Sequence, residues 1–270
     1  MFNKIEKSCS VCPVRSLCLS VEIDDERIYF LDTIPKRKTR VKSGDVIYRQ
    51  GEKFVATYAI VHGTAKAVVE FPQRRTHQIA SLVLRGDLIG ESAIPYGEMT
   101  ETLIATEPSL ICIIPYSAFM LAADQHPMLW RQFVRAIMRG TRQRYLMRAL
   151  IDHGDGESRV FSFLQWLAGE LDARGQYASD FVLPISKSDM ANMLNLNHAT
   201  LSRIFSKLAS KGIISIQGAY ISMPSKPLSP SPPSLPHENC GETKDELARH
   251  MTQTVRKTPD RSMAMATKSA

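Results

Sequence analysis

No run of apolar residues in this 270-residue chain approaches the length of a membrane span, about eighteen residues, and no signal peptide heads it. The sequence therefore predicts a soluble, cytoplasmic protein. Cysteine is scarce, with five in the whole chain, which argues against the disulfide framework of small secreted domains. No general acid-base pair, phosphate loop or nucleophile motif stands out, so no enzyme is predicted. No H-x3-5-H pair follows the cysteines, as the common zinc half-site would require. Between positions 127 and 151 there is no further proline after Pro127, which leaves room for one long helix.

The few cysteines are unevenly placed. Cys9, Cys12 and Cys18 form a C-x2-C-x5-C run, and Cys112 follows in the strand-like stretch Leu110-Ile111-Cys112-Ile113-Ile114. Three clustered thiols plus one distant thiol make four ligands for a soft centre: an iron-sulfur cluster, zinc or Cu(I). The residues around the triple, Lys4, Glu6, Lys7, Ser8 and Ser10, are polar, so these thiols do not fill an apolar face. Cys112 alone could be a small core hydrophobe. Cys240 lies in a Pro- and Ser-rich tail and is expected to be free.

Composition divides the chain. Residues 1–28 hold the cysteine run. Residues 29–124 carry short β-rich runs, separated by Ser43-Gly44, Gln50-Gly51, His62-Gly63 and Gly86-Asp87, the spacing of a β barrel or roll. Residues 125–152 read as a helix with apolar residues every three or four positions. Trp130, Phe133, Ile137 and Met147, together with Arg144, are expected to lie on a narrow seam that pairs with a second copy. Two Arg144 side chains facing each other across the dyad would weaken that dimer; an Arg144 that snorkels outward to water is the alternative.

Residues 153–223 read as helix, short strand, two short helices and a hairpin. Ser186 can cap a helix over 187–194, Asn195-Leu196-Asn197 forms the turn, and 198–210 is a second helix stopped by Gly212. A hairpin of 213–217 and 220–223 follows. Small Ala191 at the crossing, Asn195 at a turn that needs a left-handed residue, and apolar Leu201 fit a helix-turn-helix. The second helix would expose His198, Ala199, Ser202, Arg203 and Lys207 to double-stranded DNA, with Arg203 able to bind guanine O6 and N7 together. Lys207 and Lys211 suit phosphates. A formal charge of +7 and a pI near 9.2 are compatible with a polyanionic partner. The segment 224–270, rich in proline and serine and then charged, is expected to lack order apart from a short helix near 245–255.

The order β-roll, long helix, winged helix resembles the cyclic-AMP-receptor and fumarate-nitrate-reductase superfamily of bacterial transcription regulators, over residues 9–223. Its marks are Gly44-Asp45, Gly51, Gly63, Gly86-Asp87 and Gly90, with Thr200-Leu201-Ser202-Arg203 in the recognition helix. The resemblance implies an α+β fold and a homodimer that binds DNA through Thr200 and the exposed residues above, with RNA polymerase as a further partner. The cysteine spacing and residues 107–115 are similar to the oxygen-sensing members, which implies a [4Fe-4S] cluster on Cys9, Cys12, Cys18 and Cys112. Departures are visible too. Ala199 stands where the family commonly has Glu, so a different half-site is expected, and an acidic residue of the oxygen sensors' long helix gives way to Arg144. Gly90-Glu91 is followed by Met99-Thr100-Glu101-Thr102 rather than the Arg-Ser or Arg-Thr of cyclic-nucleotide binders, and Glu101 would repel a phosphate. No cyclic nucleotide is therefore expected. Zinc or thiol-disulfide sensing on the same architecture, or a small effector in the β-roll, are the alternatives.

Overall fold

The computed structural model describes residues 8–20, 23, 28–74, 76–152, 154–176 and 179–223. The expectations for the tail and Cys240 lie outside the described residues.

Two four-stranded antiparallel sheets form the roll. The first has the order β1 (Arg37–Val41), β8 (Ser109–Pro115), β3 (Ala56–His62), β6 (Leu88–Ile89). The second has β2 (Val46–Tyr48), β7 (Thr102–Ala105), β4 (Ala65–Phe71), β5 (Thr76–Val83). Period-two alternation sorts the side chains of the first sheet. Ile60 and Ile111 point inward with Ala65, Val83 and Leu103, whereas Ala59, Val61, Cys112 and Ile114 point to the outer face. That outer face is itself covered, so β3 is buried on both sides and its sequence is apolar almost throughout.

The cover consists of the cysteine segment, the short helix α1 (Tyr29–Thr33), helix α2 (Tyr116–Gln125) and the start of α3 (Pro127–Asp152). Val14, Leu19, Leu31 and Ile34 are each at most 4% exposed. Burying a side chain of this size contributes about 1.5–3 kcal/mol, so the segment has apolar anchors besides its thiols. Helix α1 and strand β1 are not legible in the sequence as such. The Arg-Lys-Thr-Arg-Val sequence of β1 has no apolar alternation, and it is a strand because β8 offers it an edge.

The last described third is α4 (Gly156–Asp172), β9 (Asp180–Val182), α5 (Lys187–Met193), α6 (His198–Ser210) and the hairpin β10 (Ser215–Gln217), β11 (Tyr220–Ser222), with sheet order β10-β11-β9. Asp155, Ser186 and Asn197 cap the three helices by accepting the Ser158, Asp189 and Thr200 N–H groups at 2.9, 3.0 and 2.7 Å. Among the described residues Asn195 is the one non-glycine with positive φ, at 53°, as the turn requires. Met147 and Ile151 at the end of α3 share a core with these helices and with Val68, Ile79 and Leu82 of the roll.

Of the residues expected on the α3 seam, Trp130 is exposed, Phe133 and Met147 are 1% and 2% exposed and pack in their own chain's cores, and Ile137 is half-buried against the roll. Arg144 is paired within its own chain. Its Nη2 lies 2.5 Å from Oε1 of Glu91, whose side chain is 6% exposed. Among the described residues the large apolar side chains that α3 exposes are Trp130, Val134, Met138 and Tyr145, spaced by four, four and seven.

Candidate metal centre and nucleic-acid interface

The N-terminal segment from Cys9 to Ser20 is a chain of tight turns. Cys12 N–H reaches Cys9 O at 3.2 Å, Arg15 N–H reaches Cys12 O at 2.9 Å, and Cys18 N–H reaches Val14 O at 2.9 Å. Asp32 of α1 fixes its start, accepting from Cys9 N–H and from Ser8 Oγ, each at 2.6 Å. Those two donors and nearby Lys36 hold the Asp32 carboxyl below the usual range although burial opposes it. Further along, Arg139 of α3 donates to Leu17 O at 2.7 Å and Arg85 donates to Pro13 O at 2.7 Å.

Coiled this way, Cys9, Cys12 and Cys18 meet Cys112 on the wall of one cavity of about 30 Å3, otherwise lined mainly by Val14, Leu19, Leu31, Ile34, Ala59, Val61 and Ile114. Cys112 is 7% exposed in β8, with Lys38 opposite it on one side and Ala59 on the other. Burial pushes the Cys18 and Cys112 thiols up to about 12, and Cys9 is raised for the same reason. Each also feels the others: a thiolate at Cys9 would raise both Cys18 and Cys112. Two cations oppose this at Cys9 and Cys112. Lys36 and Lys38 line the same cavity, and Lys38 Nζ stands 3.7 Å from Cys12 Sγ. Among the described residues no three His, Cys, Asp or Glu side chains are grouped so as to hold a metal ion. The four thiols share a wall rather than a point. An all-sulfur donor set in a largely apolar cavity suits a soft metal centre over a hard ion.

Sequence reasoning missed Asp32, Lys36 and Lys38. The lysines alternate with Arg37 and Thr39, a period-two signal that becomes readable only once β1 is known to pair with β8 in the register Lys38 to Cys112.

The turn Arg85-Gly86-Asp87 joins this site to the rest. On one side it meets Pro13 and Leu17. On the other, Asp87 Oδ1 accepts from Arg174 Nη2 at 2.6 Å, and Arg174 Nη1 pairs with Glu170 at 2.5 Å while its Nε donates to Arg85 O at 3.0 Å. Burial would lower the Arg174 pKa, but the two carboxylates raise it, so the guanidinium stays charged. Gly86 has φ 90°, and a Cβ there would overlap the Leu17 side chain. Gly86→Ala is therefore expected to cost about 1–3 kcal/mol, lowering the unfolding midpoint by roughly 2–4 °C per kcal/mol. Gly44, at φ 85° with open space around it, isolates backbone strain from packing. Equal midpoints for Gly44→Ala and Gly86→Ala would mean that Leu17 does not bear on this turn.

On α6, His198, Ala199, Arg203 and Lys207 are exposed and Thr200 and Ser202 are half-buried, while Leu201, Ile204, Phe205 and Leu208 face the core. Lys207 and Lys211 both pair with Glu157 at the start of α4, Lys207 at 2.5 Å. The two lysines read as phosphate contacts thus have a counter-ion within the chain.

Residues 38–126 match the cyclic nucleotide-binding domain family and residues 158–226 the Crp-like helix-turn-helix domain. The chain is 30% identical over 215 residues to the anaerobic regulatory protein of Pasteurella multocida, covering 80% of this chain and 78% of that protein. It is 30% identical to the transcriptional activator protein anr of Pseudomonas aeruginosa, covering 79% of this chain and 87% of the other. The fumarate and nitrate reduction regulatory protein of Vibrio cholerae is 28% identical over 80% of this chain and 86% of its own length. The structure of FixK2 from Bradyrhizobium japonicum shares the fold, with a TM-score of 0.61 at 20% identity over 72% of this chain and 94% of that one.

Proposed function

The chain belongs to the Crp-type family of DNA-binding transcription regulators that includes the anaerobic and the fumarate and nitrate reduction regulatory proteins, and from that premise we propose that it senses oxygen through a [4Fe-4S] cluster. Cys9, Cys12, Cys18 and Cys112 would hold the cluster. The observation that carries this reading is the meeting of four thiols, three local and one about a hundred residues away, in one apolar cavity. When bound, such a cluster supplies a redox-active, oxygen-reactive centre.

Coupling to DNA is the work of the chain's own contacts. The stretch from Pro13 to Cys18 touches α3 through Arg139 and the 85–87 turn through Arg85, and Asp87 of that turn holds Arg174 at the end of α4. A rearrangement of the cysteine segment is therefore felt in two places, the long helix and the DNA-binding domain. Along α3, Trp130, Val134, Met138 and Tyr145 form the apolar stripe on which a second copy would pack, in parallel, as the family's homodimers do. Two copies of α6 would then enter successive major grooves about one helical turn apart, with Ser202 and Arg203 at base edges and RNA polymerase as a partner of the bound dimer. A change of about 1.4 kcal/mol in dimerisation alters the dimer constant tenfold, so modest movement at the stripe suffices to switch binding.

Cyclic nucleotide is not the effector in this reading. Glu91 and Glu101 both sit in the region expected to hold the phosphate. Glu101 is raised by burial and by Glu91 and is held by the Tyr48 hydroxyl at 3.4 Å, and Glu91 already uses Arg144. A phosphate there would meet Glu101 where cyclic-nucleotide binders place an arginine.

The reading is tested by sedimentation and operator selection, both done on anaerobic and on air-exposed protein. The expected result is a dimer that selects a near-palindrome without oxygen, and a larger monomer fraction with weakened selection after air. Identical monomer fractions and identical affinities before and after exposure would refute it.

A further inference from the structure

The pocket that gathers the four thiols also holds two ammonium groups, which the ligand set alone does not require. Antiparallel register sets Lys38 directly across from Cys112, and Lys36, just before the strand, lines the same cavity. Lys36 is 8% exposed. Its Nζ donates to the Leu31 and Ile34 carbonyls and lies 3.5 Å from Asp32 Oδ1. Lys38 is half-buried, and its Nζ donates to the sulfur of Cys12 at 3.7 Å. Bringing an ammonium out of water is costly unless a negative charge meets it; Asp32 meets Lys36, whereas Lys38 faces the Cys12 sulfur.

We propose that Lys38, backed by Lys36, is the charge partner of the four-cysteine site, positioning the Cys12 sulfur and setting the redox potential of the cluster bound there. This rests on the reading of the four thiols as cluster ligands. Four thiolates around a cubane core of charge 2+ leave a net charge of about −2 in the cavity; Asp32 already balances Lys36, so Lys38 supplies the uncompensated positive charge and brings the sum to about −1. Net charge and hydrogen bonds to sulfur are the levers by which a protein sets a cluster's potential. Lys38 supplies both at once, because its charge lies beside Cys112 and its N–H groups point to Cys12. A cation at this distance stabilises the more negative, reduced state, so its loss should lower the potential.

The test uses the full chain, purified without oxygen, as parent, Lys38→Met, Lys38→Arg and Lys42→Met, the last removing a cation outside the cavity. Iron content is measured first and the midpoint potential is then read by spectroelectrochemical titration. Lys38→Met should lower the potential by about 59 mV, a tenfold shift in a one-electron equilibrium, while Lys38→Arg and Lys42→Met stay near the parent. Iron lost from Lys38→Met but kept by Lys38→Arg also supports a charge role. An unchanged potential in Lys38→Met, or loss of iron from both Lys38 variants, overturns it. A parent without iron overturns the underlying cluster assignment instead, and the two failures are told apart by the first measurement.

Discussion

Replacing Cys112 by serine is expected to abolish the broad visible absorption of the anaerobically purified protein and to reduce its bound iron to background. A hydroxyl is a poor ligand for a soft iron-sulfur centre, and the distant thiol has no substitute in the cavity wall. The fold should survive. Cys112 and serine are close in size, β8 is paired on both sides by β1 and β3, and the neighbouring core residues Ile111 and Ile114 are untouched. Circular dichroism should therefore match the parent while the colour is lost. The same outcome is expected for Cys9→Ser, Cys12→Ser and Cys18→Ser, and none for Cys240→Ser. Colour retained by the Cys112 variant, or lost on replacing Cys240, would remove the assignment.

Arg203→Ala should weaken operator binding by about 1–3 kcal/mol in each half-site, concentrated at one base pair. With two recognition helices per dimer the losses add to about 2–6 kcal/mol, roughly thirtyfold to twenty-thousandfold in affinity. The side chain is exposed on α6 and plays no part in its core, so stability should not change. Lys207 and Lys211 differ from it. Both pair with Glu157 in the free protein, so binding to phosphate must first exchange that partner. Their removal should weaken all sequences alike and lower the salt slope by about one for each phosphate no longer neutralised. A parent-like base preference in the Arg203→Ala protein, read by selection from randomised operators, would displace α6 from the proposed groove position.

Parts of this molecule are legible in the sequence because their signals are local. Ser186 caps α5, Asn195 takes the left-handed turn, and the inward set Leu201, Ile204, Phe205 and Leu208 repeats at helical spacing. Cys112 is recognisable by the strand around it. Which residues of α3 meet its own roll is not, because α3 is apolar on two faces and periodicity does not separate them. Phe133 and Met147 belong to the inner face, and Val134, Met138 and Tyr145 to the outer one. The pairing of Arg144 is hidden for a related reason: its partner Glu91 is 53 residues away, and only the packing of β6 against α3 brings the two together. The buried Arg174 group with Asp87 and Glu170 is invisible on the same grounds, with Asp87 lying 87 residues from the arginine. Strand β1 shows the limit most plainly, since its charged residues acquire meaning only from the cysteine across the register.

The central claim is that four cysteines of this chain carry a cluster of iron and sulfide, and it is tested most directly by a metal and sulfide count on full-length protein isolated without oxygen. Four irons and four acid-labile sulfides per chain, with little zinc, are the expected result. One zinc per chain without sulfide, or neither metal bound, would contradict it.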